Sequence, residues 1–333
     1  MQKQLFMHIK PWIEAFRLRT LPVSAAGVFA GCAVALAYGN FDWLPALICL
    51  VFAIVAQIVS NLANEYYDFK NGIDKKGRQG FRRGVTEGDI KPSDMKTVMF
   101  TLMALDCLLG CSLIYWGGFW LIPVGILIVI AAFAYSAGPW PLSHHGLGDE
   151  LVVVFYGIVP VTLTAYLQCG DWTGGSAATY IGPMWKTALL ASIGVGLLGD
   201  NVLTVNNIRD AKDDKKVGKR TKAVILGVPA MRIAYILCYL IGAGLIFYAF
   251  HEALPDWAWI GYAVITVWYA LLVEALYVFE GKSLNKVLKF TSIMLLVIIL
   301  WTLVCVMLEH NQLIPEHNPN CLIHHLLGYN YIY

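Results

Sequence analysis

Charge is scarce in this chain. Only 14% of the 333 residues are Asp, Glu, Lys or Arg, against 58% hydrophobic residues, where a soluble domain carries about 25% and 45–50%. That scarcity excludes a disordered chain and argues against a water-soluble enzyme. A net charge of +2 gives no overall nucleic-acid character. There is no Cys-x-x-Cys pair among the eight cysteines, and the Cys107/Cys111 pair has no His neighbour, so a thiolate metal site is not indicated; the cysteines read as small buried hydrophobes. The first twenty residues lack a signal-peptide pattern, so the first apolar stretch is expected to stay as a membrane anchor. Low-complexity segments and an intervening soluble domain are absent too.

What is present is a series of long apolar runs. A spanning helix needs about 20 mostly apolar residues, and nine stretches qualify: Leu21–Tyr38, Trp43–Tyr66, Met95–Trp116, Phe119–Ser136, Leu151–Cys169, Trp185–Val205, Ala230–Phe250, Trp257–Phe279 and Phe290–Leu308. The expected fold is an all-α polytopic membrane bundle of nine transmembrane helices, residues 1–308, followed by a tail, 309–333. With the N-terminus in the cytoplasm, 23 of the 24 Lys and Arg residues fall on that side and only Lys186 on the other. This is the positive-inside asymmetry, and an odd span count leaves the C-terminal tail outside.

The charges gather in two loops. One opens with Asn64, Glu65, Asp68 and Asp74, the other with Asn206, Arg209, Asp210 and Asp214. Both start at the expected cytoplasmic end of an apolar helix. Asn64 and Asp68 are four residues apart, as are Asn206, Asp210 and Asp214 in turn, so each set shares a helix face. Carboxylates and amides offer the hard oxygens that Mg²⁺ takes together with water and substrate phosphate. Bases follow each set: Lys75, Lys76, Arg78, Arg82 and Arg83 in the first loop, Lys215, Lys216, Lys219 and Arg220 in the second. Acids with adjacent bases fit a metal-bridged polyanion. Two such clusters about 140 residues apart read as a duplicated site closing on one diphosphate. Loop bases alone could serve topology, but acids contribute little to orientation.

At these residues the chain resembles the UbiA superfamily of intramembrane aromatic prenyltransferases over roughly residues 11–308. The resemblance rests on an ordered set of motifs: Trp12 through Pro22; Asn61 through Asp74, whose wide Asp68–Asp74 spacing is like the naphthoate branch; Arg78 to Gly84 with Gly88 to Ile90; Tyr135 to Pro139; Gly146 to Asp149; and Asn206 to Asp214 with Gly218 to Thr221. Family members commonly have Asp where this chain has Glu65. The resemblance implies a central cavity open to the cytoplasmic face. It further implies a polyprenyl diphosphate donor, 1,4-dihydroxy-2-naphthoate as acceptor, Mg²⁺ as cofactor, and a demethylmenaquinol product formed with loss of diphosphate and CO2.

Asp68, Asp74, Asp210 and Asp214 are then the expected metal ligands. Asn64, Asn206, Arg78, Arg83, Lys219 and Arg220 are the expected diphosphate ligands, and Asp68, Asp210 and Tyr135 the catalytic set. Tyr135 and Tyr67 could face an allylic cation, and Arg17 the acceptor's carboxylate. The expected location is a bacterial cytoplasmic membrane; the sequence implies no nucleic-acid partner and leaves the oligomeric state open. Alternatives stay open as well: another aromatic acceptor, a lipid headgroup, a non-catalytic isoprenoid-binding protein, or a transporter. Asp106 and Asp200 lie within expected spans, where acids are costly and commonly functional. His310, His317, His324 and His325 in the tail read as solvated.

Overall fold

A computed structural model of the chain describes residues 2–77, 79–168 and 177–313. Among the described residues there is no strand. Twelve helices organise the molecule: α1 (Gln2–Phe16), α2 (Leu21–Ala37), α3 (Trp43–Lys70), α4 (Gly84–Glu87), α5 (Pro92–Ser112, prolonged by a turn at Ile114–Gly117), α6 (Leu121–Ala134), α7 (Gly148–Gln168), α8 (Ala177–Lys216), α9 (Lys222–Leu226), α10 (Val228–Phe250), α11 (Trp259–Val278) and α12 (Leu284–Leu313).

Eight described helical stretches are long and apolar enough to cross a membrane. The segment expected at Phe119–Ser136 differs. It forms α6, only 14 residues long, or about 21 Å of helix against a hydrocarbon core of about 30 Å. Gly118, at φ 78°, interrupts the chain before it, and the turn at Tyr135–Gly138 ends it. Outward positions carry the apolar side chains: Leu108, Val264, Val267 and Leu271 are all more than half exposed.

The interior is knitted by small residues. α2 packs on α3, α7, α8 and α12, so the first long helix meets the last. A Cβ on Gly27 would fall 2.7 Å from the Pro160 ring and one on Gly31 2.6 Å from Thr164, both on α7. Between α7 and α8, a Cβ on Gly157 would come within 2.6 Å of the Gly196 Cα. Where lipid tails are as apolar as Leu, such close backbone approach is a main source of helix association. Within α7, Val153–Ile158 widens into a π-helical turn, a local form common beside functional sites. Phe155 and Tyr156 of that turn line the cavity described next.

Candidate active site

The two acid-bearing helices end alike. α3 runs to Lys70 and Gly72 follows at φ 70°; α8 runs to Lys216 and Gly218 follows at φ 76°. A left-handed glycine after the last turn is a common way to stop a helix and redirect the chain. Here it folds each basic loop back over its acids. The Lys219 amide donates to the Asp214 carbonyl at 2.9 Å, and the Ile73 amide to that of Asp68 at 2.9 Å.

The expected pairing is direct in the first cluster and runs through Arg209 in the second. Asn64 Nδ2 donates to Asp68 Oδ2 at 3.1 Å and to Ser136 Oγ at 2.9 Å, while Arg83 and Arg17 both donate to Asn64 Oδ1, at 3.0 and 2.5 Å. Arg17 is the single non-glycine residue with positive φ (52°) among the described residues. That costly backbone turns the chain between α1 and α2 and brings the guanidinium to Asn64. In the second cluster Arg209 grips Asp210 with two bonds, at 2.8 and 2.7 Å, and also donates to Asn206 and Asn285.

The clusters meet. Lys219 Nζ lies 4.0 Å from Asp68 Oδ2, and His144 Nε2 is 3.1 Å from Asp68 Oδ1. Asn64, Arg83, Asn206, Asp210 and Lys219 border one cavity of about 670 Å³. Away from this polar end the cavity is walled by apolar side chains of α3, α5, α6 and α7, Phe52, Ile128, Val129 and Leu163 among them. Tyr135 and Arg17 also line it.

Other expected site residues fall elsewhere. Arg220 is exposed and enters only through its backbone, which donates to the His144 carbonyl at 3.0 Å. Tyr67 packs edge-on to Tyr66 and Phe133 and is absent from the cavity lining. Asp74 pairs with Arg83 at 3.2 Å. Glu65, 1% exposed, accepts from the Val85 amide at 3.1 Å and thereby anchors α4. Arg78 lies outside the described residues, as do His317, His324 and His325. Asp106 is buried and faces the apolar part of the cavity. Cys107 and Cys111, expected buried, are exposed from the packed core and border the same cavity.

His144, Ser136 and Arg209 were not singled out as site residues by the sequence. The signal was their position beside the Tyr135–Pro139 and Asn206–Asp214 motifs.

Outside the spans, two ion pairs shape the loops. Asp89 is held below its usual carboxylate range by two hydrogen bonds from Arg82. Burial works against the Lys222 charge, yet the Glu150 hydrogen bond and the fields of Asp149, Glu150 and Asp200 carry its pKa above the ordinary lysine value.

Among the described residues, no three His, Cys, Asp or Glu side chains form a metal-holding group. The donor chemistry nevertheless suits Mg²⁺, which is held by one or two carboxylates and otherwise keeps water and phosphate oxygens. Asp68 with Asn64, and Asp210 with Asn206 and Asp214, supply such partial sets from two sides. The basic residues between them are matched to the anion such ions would share.

The profile of the UbiA prenyltransferase family matches residues 24–299. The chain is 37% identical over 252 residues to 1,4-dihydroxy-2-naphthoate octaprenyltransferase of Escherichia coli (strain K12), covering 73% of this chain and 77% of that protein. It is 32% identical over 315 residues to the protein of the same name from Haemophilus influenzae, covering 91% and 97%. Among solved structures it is similar to an apo UbiA homolog from Aeropyrum pernix K1, with TM-score 0.63 and 14% identity over 82% of this chain and 94% of that one. It is also similar to a UbiA homolog from Archaeoglobus fulgidus bound to DMAPP and Mg²⁺, with TM-score 0.56 and 16% identity over 89% and 98%. At such identities the structures speak for the fold.

Proposed function

The chain belongs to the UbiA prenyltransferase family, and on that premise we propose that it transfers a polyprenyl group from polyprenyl diphosphate to 1,4-dihydroxy-2-naphthoate. Diphosphate and CO2 are released, and the product is a demethylmenaquinol of menaquinone biosynthesis. The observation that carries this reading is the meeting of two acid–base clusters, Lys219 on Asp68 at 4.0 Å, at the polar end of an otherwise apolar cavity. The names of the bacterial relatives support the acceptor.

Arg83 and Lys219 border the polar end and hold phosphate oxygens by charge-assisted hydrogen bonds. Asp68, Asp210 and Asp214, with Asn64 and Asn206, would be the oxygen donors for Mg²⁺. That ion neutralises diphosphate and makes it a better leaving group. The Tyr135 ring on the cavity wall faces the allylic carbon as positive charge develops, an attraction that strengthens in a dry site. Tyr67, off the cavity, is not assigned that role. The apolar walls take the prenyl tail and exclude water. Arg17 is the cation for the acceptor's carboxylate.

A transporter fits less well: its ligating groups gather near the midplane, whereas these gather at helix ends. The enzyme works in a bacterial cytoplasmic membrane with the two loops and the N-terminus inside.

The test is incubation of membranes holding the protein with Mg²⁺, prenyl diphosphates of several lengths and several aromatic acceptors, with products identified by mass. The expected product has the mass of the naphthoate plus the prenyl group minus CO2. Product from hydroxybenzoate or homogentisate alone would reassign the acceptor, and no product from any pairing would remove the transferase reading.

A further inference from the structure

Alkylation with loss of CO2 leaves a proton to be handled, and the cavity wall carries an acid, one of a buried pair, that the diphosphate chemistry does not use. Asp149, at the start of α7, lines the cavity beside Gly148, with Tyr135 nearby. It is 3% exposed, and Asp200 on α8 is 8% exposed. The two carboxyls lie within each other's field. Two buried carboxyls held side by side do not both ionise, so such a pair keeps a proton between its members. Among the described residues, Oδ1 of Asp149 is buried with no hydrogen-bond partner, and so is Oδ1 of Asp200. A buried polar atom without a partner is costly, and here it belongs to a side chain in the wall of a substrate-sized cavity. The groups facing the pair are known. Lys222 reaches across from the second loop and is tied to Glu150 at 2.8 Å. The Tyr135 hydroxyl lies on the Asp149 side, and Cys238 of α10 on the Asp200 side. Asp149 lines the same cavity as Asp210, Lys219 and Thr221, so an acceptor bound there meets it.

Resting on the naphthoate reading above, we propose that Asp149, sharing a proton with Asp200, takes the proton of the acceptor hydroxyl next to the reacting carbon and then returns it. The ring carbon that carries the carboxylate bonds to the allylic carbon as the C–O bond to diphosphate breaks, its electron pair leaving with the diphosphate oxygen. The adjacent hydroxyl gives its proton to Asp149 and becomes a carbonyl. Loss of CO2 then returns the carbon–carbon electron pair to the ring and leaves an enolate oxygen, which takes the proton back. Acceptor carboxylate and donor become prenylated quinol, CO2 and diphosphate, with no net proton and no oxidant. Asp149 is the catalytic residue in this step. Asp200 acts through it, as the positioning residue that steadies the Asp149 charge by a hydrogen bond in a wall that water does not reach.

The experiment uses the full chain in detergent or membranes with Mg²⁺, geranyl diphosphate and 1,4-dihydroxy-2-naphthoate. Donor binding is read separately, as the rise in melting temperature on adding geranyl diphosphate and Mg²⁺. Asp149→Asn is expected to lower kcat by about 10²–10⁴-fold, the range of general acid–base catalysis, with the donor-induced rise retained. Asp149→Glu should recover part of that loss. Asp200→Asn should displace the acid limb of the kcat–pH profile while donor binding holds. Should Asp149→Asn fail to insert, the Asp200→Asn profile decides alone. Wild-type kcat and an unmoved pH profile overturn the proposal, and so does loss of donor binding in Asp149→Asn, which would place that residue in the diphosphate site. Wild-type protein that binds donor yet makes no naphthoate product overturns the parent reading and this step with it.

Discussion

Three segments of the chain converge on one carboxylate. Asp68 meets Asn64 from its own helix, His144 from the loop before α7 and Lys219 from the loop after α8, while Arg17 and Arg83 hold Asn64 in place. Asp68→Asn keeps the shape and removes the charge around which those cations gather. We expect turnover to fall by about 10²-fold or more, the scale on which one preorganised polar group contributes to catalysis, with insertion unchanged; near-normal product formation at saturating Mg²⁺ would take Asp68 out of the site. The Asn64–Asp68 and Asn206–Asp210 pairs were legible in the sequence because a four-residue spacing on a helix fixes proximity without knowledge of the fold. His144 was not legible. It lies 76 residues from Asp68, and only the folded chain brings them together. Arg220 misled for the related reason that adjacency to Lys219 says nothing of direction, and its side chain points away from the cavity. At Glu65 the extra methylene relative to Asp suits a reach to the Val85 amide, a structural use of a residue read as part of an acidic motif.

Helices differ in how openly their sequence announces them. The long apolar runs of α3, α5, α10, α11 and α12 were readable from hydropathy alone, since burial in lipid demands it. α6 was readable in place but not in length, since the apolar run spans Phe119–Ser136 while the helix covers only Leu121–Ala134. α8 errs in the opposite direction. Its apolar stretch ends near Val205, yet the helix continues to Lys216, and that polar extension is what carries Asn206, Asp210 and Asp214 on one face. Packing between elements gives a further test. Gly157 lies where α7 crosses α8, and a Cβ there would strike the Ser192 carbonyl and the Gly196 backbone. Gly157→Leu should destabilise the fold by about 1–3 kcal/mol, the usual cost of overpacking, and lower the melting temperature in detergent. Gly125→Ala on α6 serves as the comparison: its Cβ would meet nothing within 4 Å, and its melting temperature should stay close to wild type. Equal shifts for the two variants would mean that the α7–α8 crossing is looser than this packing implies.

Both acidic helix ends lie at one end of the cavity, so the two basic loops must face the same aqueous compartment. In a cysteine-free background, single cysteines at Gly77, Gly218 and Asn318 would report this through an impermeant thiol reagent on spheroplasts. Gly218→Cys and Gly77→Cys should stay protected until the membrane is opened, and Asn318→Cys should label at once. Labelling of one loop without the other would separate the clusters and end the shared site. Removal of residues 314–333 should leave turnover intact, because α12 ends at Leu313 and the family match at 299; a shortened chain that inserts but makes no product would draw the tail into the site. The packing of α2 on α12 has a consequence for biogenesis. Among the described long apolar helices, the one made first rests against the one made last, Leu21–Ala37 against Leu284–Leu313. At about 5–20 residues per second, it waits tens of seconds in the bilayer before that neighbour is synthesised. Until then the cavity lacks Leu288 from its wall, although both acidic clusters are already made. A nonsense codon between Thr221 and Leu284 therefore yields an inserted chain with its chemistry complete and its vessel open, a natural substrate for membrane quality control.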